Sequence, residues 1–386
     1  MATDPLRIAL VTRRYPPLIG GAEKVLSYLA LGLADEGAEV TVLTSQISAT
    51  AEVLPAGQRL APISHPRLQV VRLPTTGMRF LGTWQYMRNL KSWFAHNRID
   101  LAYVSMLKHD AYVAVGAGRQ WGFPVVLRPE GAGATGDLAW HSWGRFGKRI
   151  ADRCRQADAL VAISPAILTE LLAAGYDPAR IHSLPNGVPV PEEPWRPRPG
   201  WRDGPHAVFI GRLAPEKGLG VLLEAWPAVR TQHPTGRLTL IGEGPQRSAL
   251  EARVDRLSLR EIVWLPGAVA DPTATLREAD LFVLPSIEEG MSIALLEAMA
   301  LGVPVVASAI PGNQGLVTDG VHGRLAGPND AEALARAIIA QWADLDRAQK
   351  QATAARRRVI DEYSIAAVAR RHLDLFERLV RDESKA

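Results

Sequence analysis

Cysteine is almost missing from the sequence: Cys154 is the one thiol in 386 residues. That excludes an internal disulfide and any metal centre built on several thiolates, and it fits a reducing compartment. A strong excess of one charge is missing too, since 44 Lys and Arg stand against 40 Asp and Glu. A net charge of +4 demands no nucleic-acid partner, although it suits a phosphate-bearing ligand. No window approaches the ~20 uninterrupted apolar residues of a spanning helix. The opening MATDPLR lacks the basic start and apolar run of a signal peptide. A cytoplasmic protein, at most peripheral to a membrane, is expected. No short repeat is found.

What is present is a globular composition, 47% hydrophobic and 22% charged, in a chain long enough for two domains. Short apolar runs alternate with helical stretches. RIALVT (7–12), EVTVLTS (39–45), LQVVRLP (68–74), LAYVSM (101–106), PVVLRPE (124–130) and ALVAIS (159–164) read as buried strands. This spacing predicts βαβ units and a parallel sheet. Residues 185–205 carry seven prolines and three glycines and read as a linker. The pattern then restarts with HAVFIGRL (206–213), RLTLIGEG (237–244), IVWLPG (262–267), LFVLPS (281–286) and PVVAS (304–308). The predicted organisation is a domain over 1–188, a linker over 189–204, a second domain over 205–364 and a terminal helix over 365–386. Residues 46–66, rich in Ala, Ser and Pro, are expected to form a mobile loop. Ligand sites in such domains lie at the carboxyl ends of the strands.

Two loops at such ends carry the chemistry. In GRLAPEKG (211–218), Gly211 permits the turn, and Arg212 and Lys217 supply two cations five positions apart. Cations beside a helix N-terminus suit a diphosphate, although a solvated loop would show the same pattern. In EEGMSIALLEAMALGVPVV (288–306), Glu289 and Gly290 sit in the turn, and Met291, Ser292 and Ile293 open a helix with free backbone N–H groups. Glu297 follows among Leu, Ala and Met, where a charge needs a partner. A carboxylate there accepts two hydroxyl hydrogen bonds, which matches a vicinal diol such as a ribose. Paired carboxylates also serve glycosidases, and sequence spacing alone leaves that alternative standing.

GRLAPEKG together with the E-x7-E of EGMSIALLE resembles the donor site of the family 4 glycosyltransferases, which have two Rossmann-like domains (GT-B architecture). YPPLIGGAEKVLSYLALGLADEGAEVTVLTS is similar to that family's opening strand, glycine loop and helix. IHSLPNGV resembles its interdomain segment, and the terminal helix resembles the one that crosses back onto the first domain. The resemblance covers nearly the whole chain. It implies two parallel sheets facing a cleft, with the acceptor on the first domain and a nucleotide-sugar donor on the second. It also implies a retaining reaction that needs no metal and no other cofactor.

Carried onto this sequence, the resemblance implies that Arg212 and Lys217 hold the diphosphate and stabilise the departing nucleoside diphosphate. Glu289 would grip hydroxyls of the donor sugar, and backbone amides of Gly290, Met291, Ser292 and Ile293 would bind sugar hydroxyl and phosphate. Glu297 would take the ribose diol, Gly20 and Gly21 would let the first domain's loop approach the diphosphate, and the base would rest near Leu265. Two departures stand out. Relatives often carry a histidine where RPEGAG has Glu130, and they often read Asn-Gly-Val-Asp where this chain has Pro189.

Four weaker signals remain. GAGATG (131–136) satisfies a dinucleotide-binding pattern, yet no acid closes a strand ~20 residues on. A loop lining the acceptor pocket, with Asp137 as a hydroxyl ligand, is the better reading. His109, with Asp110 beside it, lies just past a strand and suits the acceptor side or an ordinary surface. DLD (344–346) mimics a metal-binding triplet within a charged helical stretch and reads as a solvated face. In 140–155, Trp140, Trp143, Phe146 and Ile150 recur at near-helical spacing beside five cations. That pattern suits a peripheral membrane contact or a helix packed on the sheet.

The expected function is hexose transfer from a nucleotide sugar, UDP-glucose first, to a small-molecule, glycan or lipid-linked hydroxyl acceptor. The expected mechanism is front-face displacement, with the domains closing over the donor. The rivals are a GT-B epimerase or phosphorylase, a non-catalytic nucleotide-sugar sensor, and an NAD-dependent oxidoreductase resting on GAGATG alone.

Overall fold

The computed structural model describes residues 4–18, 20–46, 64–76, 78–133, 136–269 and 271–383. The mobile loop expected over 46–66 falls almost wholly outside them, as do Ala134 and Thr135 of GAGATG. The described residues divide into two compact units: one takes those up to Gly187 together with those from Ile365 onward, and the other takes Val188–Ser364.

The first unit is built on a seven-stranded, wholly parallel sheet in the order β3-β2-β1-β4-β5-β6-β7. Its strands are β1 (Arg7–Val11), β2 (Glu39–Ser45), β3 (Leu68–Leu73), β4 (Leu101–Ser105), β5 (Val125–Arg128), β6 (Ala159–Ala162) and β7 (Ile181–Ser183). The crossovers are α1 (Gly21–Asp35), α2 (Arg79–His96), α3 (His109–Trp121), the short pair α4 (Asp137–Trp143) and α5 (Gly147–Cys154), and α6 (Pro165–Ala173). Helices cover both faces of such a sheet, so its central strands are largely apolar. Leu101 to Val104 are all fully buried. Each such Leu or Val contributes roughly 1.5–3 kcal/mol.

Residues 140–155 do not form one amphipathic helix. Phe146 adopts the left-handed conformation (φ 63°), and a β-carbon at Gly147 would lie 2.1 Å from the carbonyl oxygen of His141. The chain doubles back there, which separates α4 from α5.

The second unit repeats the plan with six parallel strands in the order β10-β9-β8-β11-β12-β13. These are β8 (His206–Ile210), β9 (Arg237–Ile241), β10 (Val263–Gly267), β11 (Leu281–Leu284), β12 (Val305–Ser308) and β13 (Arg324–Ala326). Its helices are α7 (Leu219–Gln232), α8 (Arg247–Arg256), α9 (Thr273–Arg277), α10 (Ile293–Leu301), α11 (Pro311–Gln314), α12 (Ala331–Ala343) and α13 (Leu345–Arg358). Asp344 of DLD caps α13 by accepting from Arg347 N (3.0 Å), which breaks the helical stretch between α12 and α13. The proline-rich segment is no free spacer. Trp195 is buried on the second unit, its backbone N–H donating to Leu301 O and its Nε1 to Ala279 O, both at 2.7 Å.

The last helix, α14 (Ile365–Glu383), belongs to the first unit. Val368, Ala369, His372, Leu375 and Phe376 form its buried stripe, at helical spacing. It lies so close to α1 that a β-carbon on Gly32 would meet Ile365 Cγ1 at 2.7 Å. Arg370 pairs with Glu36 at the end of that contact (3.0 Å). Among the described residues no helix is long and apolar enough to cross a membrane.

Candidate functional site

In each sheet the strand order reverses once, between β1 and β4 and again between β8 and β11. Chains leaving those strand ends turn in opposite directions and leave a crevice, where ligands bind in folds of this class. The expected site residues fall into two groups, one at each crevice.

At the second unit's crevice, the β8–α7 loop carries Gly211, Arg212 and Lys217, and the β11–α10 loop carries Glu289 to Ser292. The two loops touch. Ile287 N donates to Glu216 O (2.8 Å). Gly218 (φ 63°) passes so near Pro285 that a β-carbon there would lie 2.1 Å from its carbonyl oxygen. Lys217 Nζ lies 2.5 Å from Glu289 Oε1, which also accepts from Ser286 Oγ (2.9 Å). Glu289 is thereby fixed with 9% of its side chain exposed. Arg212 is exposed and makes no ion pair with a described residue.

The helix opens slightly later than the sequence suggests. Ser292 is its N-cap, its Oγ accepting from Leu295 N (3.3 Å), and Ile293 is the first helical residue. Gly290 and Met291 precede it, half-buried, and a side chain on Gly290 would meet nothing within 4 Å. Glu297 is half-buried, one turn into α10.

The β9–α8 loop is a part of this site that the sequence reading passed over. A β-carbon on Gly242 (φ 143°) would lie 1.8 Å from the Gly211 carbonyl oxygen, and one on Gly244 (φ 158°) 2.4 Å from that of Leu213. Leu213 N donates to Glu243 O (2.8 Å). Only glycine lets the two loops approach this closely. Arg247 then donates Nη1 to Glu243 (2.6 Å) and Nη2 to the carbonyl of Leu265 (2.8 Å). The Leu265 backbone is therefore held by a cation. The signal was the doubled glycine in IGEGP, directly after a strand.

At the first unit's crevice, His109, Glu130 and Asp137 come together with cations that the sequence reading did not single out. Glu130 accepts from both Ser105 Oγ and Arg128 Nη1, and its backbone N–H donates to Asp137 Oδ2 (2.7 Å). Arg128 sends its other arm to Asn186 Oδ1 (2.6 Å). Burial raises the Glu130 carboxyl above its usual range, opposed by Arg128 and Ser105. Asp137 opens α4, with Lys108 Nζ at 3.7 Å from Oδ1.

Arg13, just past β1, pairs with buried Asp110 (3.3 Å) and lies 4.6 Å from the ring centroid of Tyr86 on α2. Burial raises Asp110, against Arg13. The His109 imidazole, ring to ring with Trp140 at 5.5 Å, is lowered by burial and then by Arg13 and Lys108, which favours its neutral form. Arg13, Arg14 and Lys108 were legible as the cations of TRRYPP and SMLKHD at strand ends.

Gly20 and Gly21 open α1. Glu23, ion-paired with Arg14, folds back over that helix start, and a β-carbon on Gly20 would meet its Oε2 at 2.0 Å. Gly21 has open space.

The comparisons with known proteins agree with this geometry. Residues 19–191 match the model of Glycosyltransferase Family 4, and 204–344 match that of Glycosyl transferases group 1. The glycogen synthase of Mycobacterium tuberculosis is 28% identical, over 94% of this chain and 92% of its own length. The solved structure of a sucrose-phosphate synthase from Thermosynechococcus elongatus superimposes with a TM-score of 0.78 at 23% identity, covering 98% of this chain and all of that one. Anabaena HepE, solved in complex with UDP and glucose, gives 0.76 at 20% identity, over 97% of this chain and all of HepE. The parallel-sheet units and their crevices are those of the GT-B fold, and the chain belongs to the family 4 glycosyltransferases, enzymes of glycosyl transfer.

Proposed function

We propose that the enzyme transfers a hexose from a nucleotide sugar, UDP-glucose first, to a hydroxyl acceptor with retention of configuration and without a metal. The observation that carries this reading is the junction of the β8–α7 and β11–α10 loops. It sets an exposed cation, Arg212, which has no ion-pair partner among the described residues, on the same loop as Lys217, with the Lys217–Glu289 pair and the Ser292-capped helix start alongside. A diphosphate takes Arg212 and Lys217. Its arrival draws Lys217 away from Glu289, whose carboxylate then accepts from hydroxyls of the donor sugar. Glu297 takes the ribose diol, and the base lies along Leu265. UDP is a ligand of HepE, one of the structural neighbours, and this supports uridine as the first base to try.

In the transfer, the bond from the anomeric carbon to the diphosphate oxygen breaks and that oxygen gathers negative charge. The acceptor hydroxyl attacks from the same face, and its proton passes to the departing oxygen. Positioned cations and amides stabilise that charge, so no separate base is required. The acceptor belongs to the first unit's group, where His109, Glu130 and Asp137 offer hydrogen-bonding partners.

Thermal-shift measurements with UDP, GDP and ADP and their sugars, followed by donor hydrolysis, test the reading. UDP-glucose should stabilise the protein and be hydrolysed slowly, with a chelator making no difference. Arg212→Ala should lower turnover by about 10²–10³. Stabilisation by no nucleoside diphosphate would overturn the proposal.

A further inference from the structure

A globular protein ordinarily turns the polar side of its surface helices outward. Helix α2 does so only in its second half. Tyr86, Leu90 and Phe94 form its buried side. The outward stripe begins with Phe80 and Trp84 and continues with Arg88 and Lys91. Met78 and Leu81 enlarge the apolar end. Across from it, at the turn between α4 and α5, Trp143 and Phe146 also point to solvent.

These six side chains are 53–69% exposed, and they make up six of the eleven large exposed hydrophobics among the described residues. They form one surface. The Arg145 guanidinium lies 5.0 Å from the centroid of Phe80 on one segment and 5.2 Å from that of Phe146 on the other.

The two stretches that carry this surface hold charge of one sign. Residues 78–98 carry four Lys and Arg, and 138–151 carry three; neither stretch contains an Asp or Glu. An aromatic and aliphatic centre on stretches that carry cations and no acid is poorly matched to a glycan, whose hydroxyls need acceptors around an aromatic platform. It is well matched to a bilayer carrying anionic headgroups. There, Trp and Phe settle at the headgroup level, and each cation near the surface adds roughly fivefold in binding.

We infer that the outward face of the first half of α2, together with the α4–α5 turn, docks on an anionic lipid bilayer. The surface adjoins the first unit's crevice by two routes. Arg13 of the crevice lies against Tyr86 on α2's buried side, and Trp140, ring to ring with His109, is also in contact with Trp143 at 6.2 Å. Docking therefore sets that crevice close to the bilayer, which suits an acceptor anchored in lipid. This last step rests on the proposed function, whereas docking itself does not.

The test is co-sedimentation of the full chain with vesicles of phosphatidylcholine alone, or mixed equally with phosphatidylglycerol. The expected result is binding to the mixed vesicles, weakened by added salt. Trp84→Ala with Trp143→Ala should reduce it at least tenfold. Arg88→Gln with Lys91→Gln should reduce it on the order of 25-fold, from about fivefold per lost cation. All four positions are solvent-exposed, so the melting temperature and the donor-induced thermal shift should stay unchanged, which separates lost docking from misfolding. Equal binding to both vesicle types, insensitivity to these substitutions, or binding of a soluble glucan without vesicle binding would each overturn the inference. A failure of donor binding would leave the vesicle result standing, because sedimentation reads no activity.

Discussion

Arg128 is a guanidinium with 2% of its side chain exposed, and both of its arms are engaged, one by Glu130 and the other by Asn186. Removing one partner of a buried pair strands the other charge without water. Arg128→Met should therefore cost about 3–5 kcal/mol. The check is a lower urea midpoint with an unchanged slope. Adding Glu130→Gln should restore part of the loss, since the neutral amide no longer needs a counter-charge. Glu130 was visible in the sequence as a departure from its family's histidine, but Arg128 was not. It closes PVVLRPE, an apolar run that reads as buried strand, and nothing in the run shows that a cation is buried with it. Arg212 and Lys217 stand out as candidates for the opposite reason. Cations flanked by glycine directly after a strand have few structural uses, whereas a cation in a core depends on partners distant in sequence.

At the level of elements, the second unit's site depends on how closely the β8–α7 and β9–α8 loops approach. Gly242→Ala would drive a β-carbon into the Gly211 carbonyl at a backbone conformation that L-residues rarely adopt. Neither loop can relieve this by rotating a side chain. A loss of about 1–3 kcal/mol is expected. Thermal shift should show a reduced response to the nucleotide donor as well as a lower starting melting temperature. The strands themselves were readable, because buried parallel strands are short apolar runs closed by glycine or proline. The contacts among their loops were not, since they are set by strand order. Residues 140–155 show how a periodicity misleads. The aromatics recur at helical spacing, yet Phe146 is left-handed, and Trp143 and Phe146 end exposed on the turn. The prolines of 185–205 likewise suggested a spacer, and pattern alone did not reveal that Trp195 anchors the segment.

Over the whole molecule, each unit holds a histidine whose strongly lowered titration ties folding to pH. In the second unit, burial pushes His206 on β8 down to about 4, helped by Arg237 and Arg198, and its Nε2 meets Thr239 Oγ1 at 2.8 Å. In the first unit, burial against Tyr103 and Phe376 likewise pushes His372 on α14 down to about 4. A depressed histidine keeps its neutral form in the fold, while the unfolded chain takes up the proton near 6.5. The stability it contributes is full above about 6.5 and is lost as pH falls towards 4. Burial raises the carboxyls of Asp110, Glu130 and Asp280, which act with the opposite sign, so a variant comparison isolates the histidine. His206→Gln retains a partner for Thr239. Between pH 6.5 and 4 it should flatten the dependence of stability on pH by about 1.4 kcal/mol per unit, measured by urea titration at each pH.

The return of α14 to the first unit also bears on how the protein is made. Synthesis runs from one end, so α1 and the sheet beneath it emerge early. The helix that fits against Gly32 follows only after all of Val188–Ser364. At 5–20 residues per second that delay is on the order of ten seconds or more. Throughout it, the α1 surface and Tyr103 lie open where His372 and Phe376 will sit. The second unit, continuous in sequence, can complete its core during that interval. The domain translated first is thus the last to be finished, and for that time its bare α14 groove is the nascent chain's point of exposure to chaperones and to aggregation.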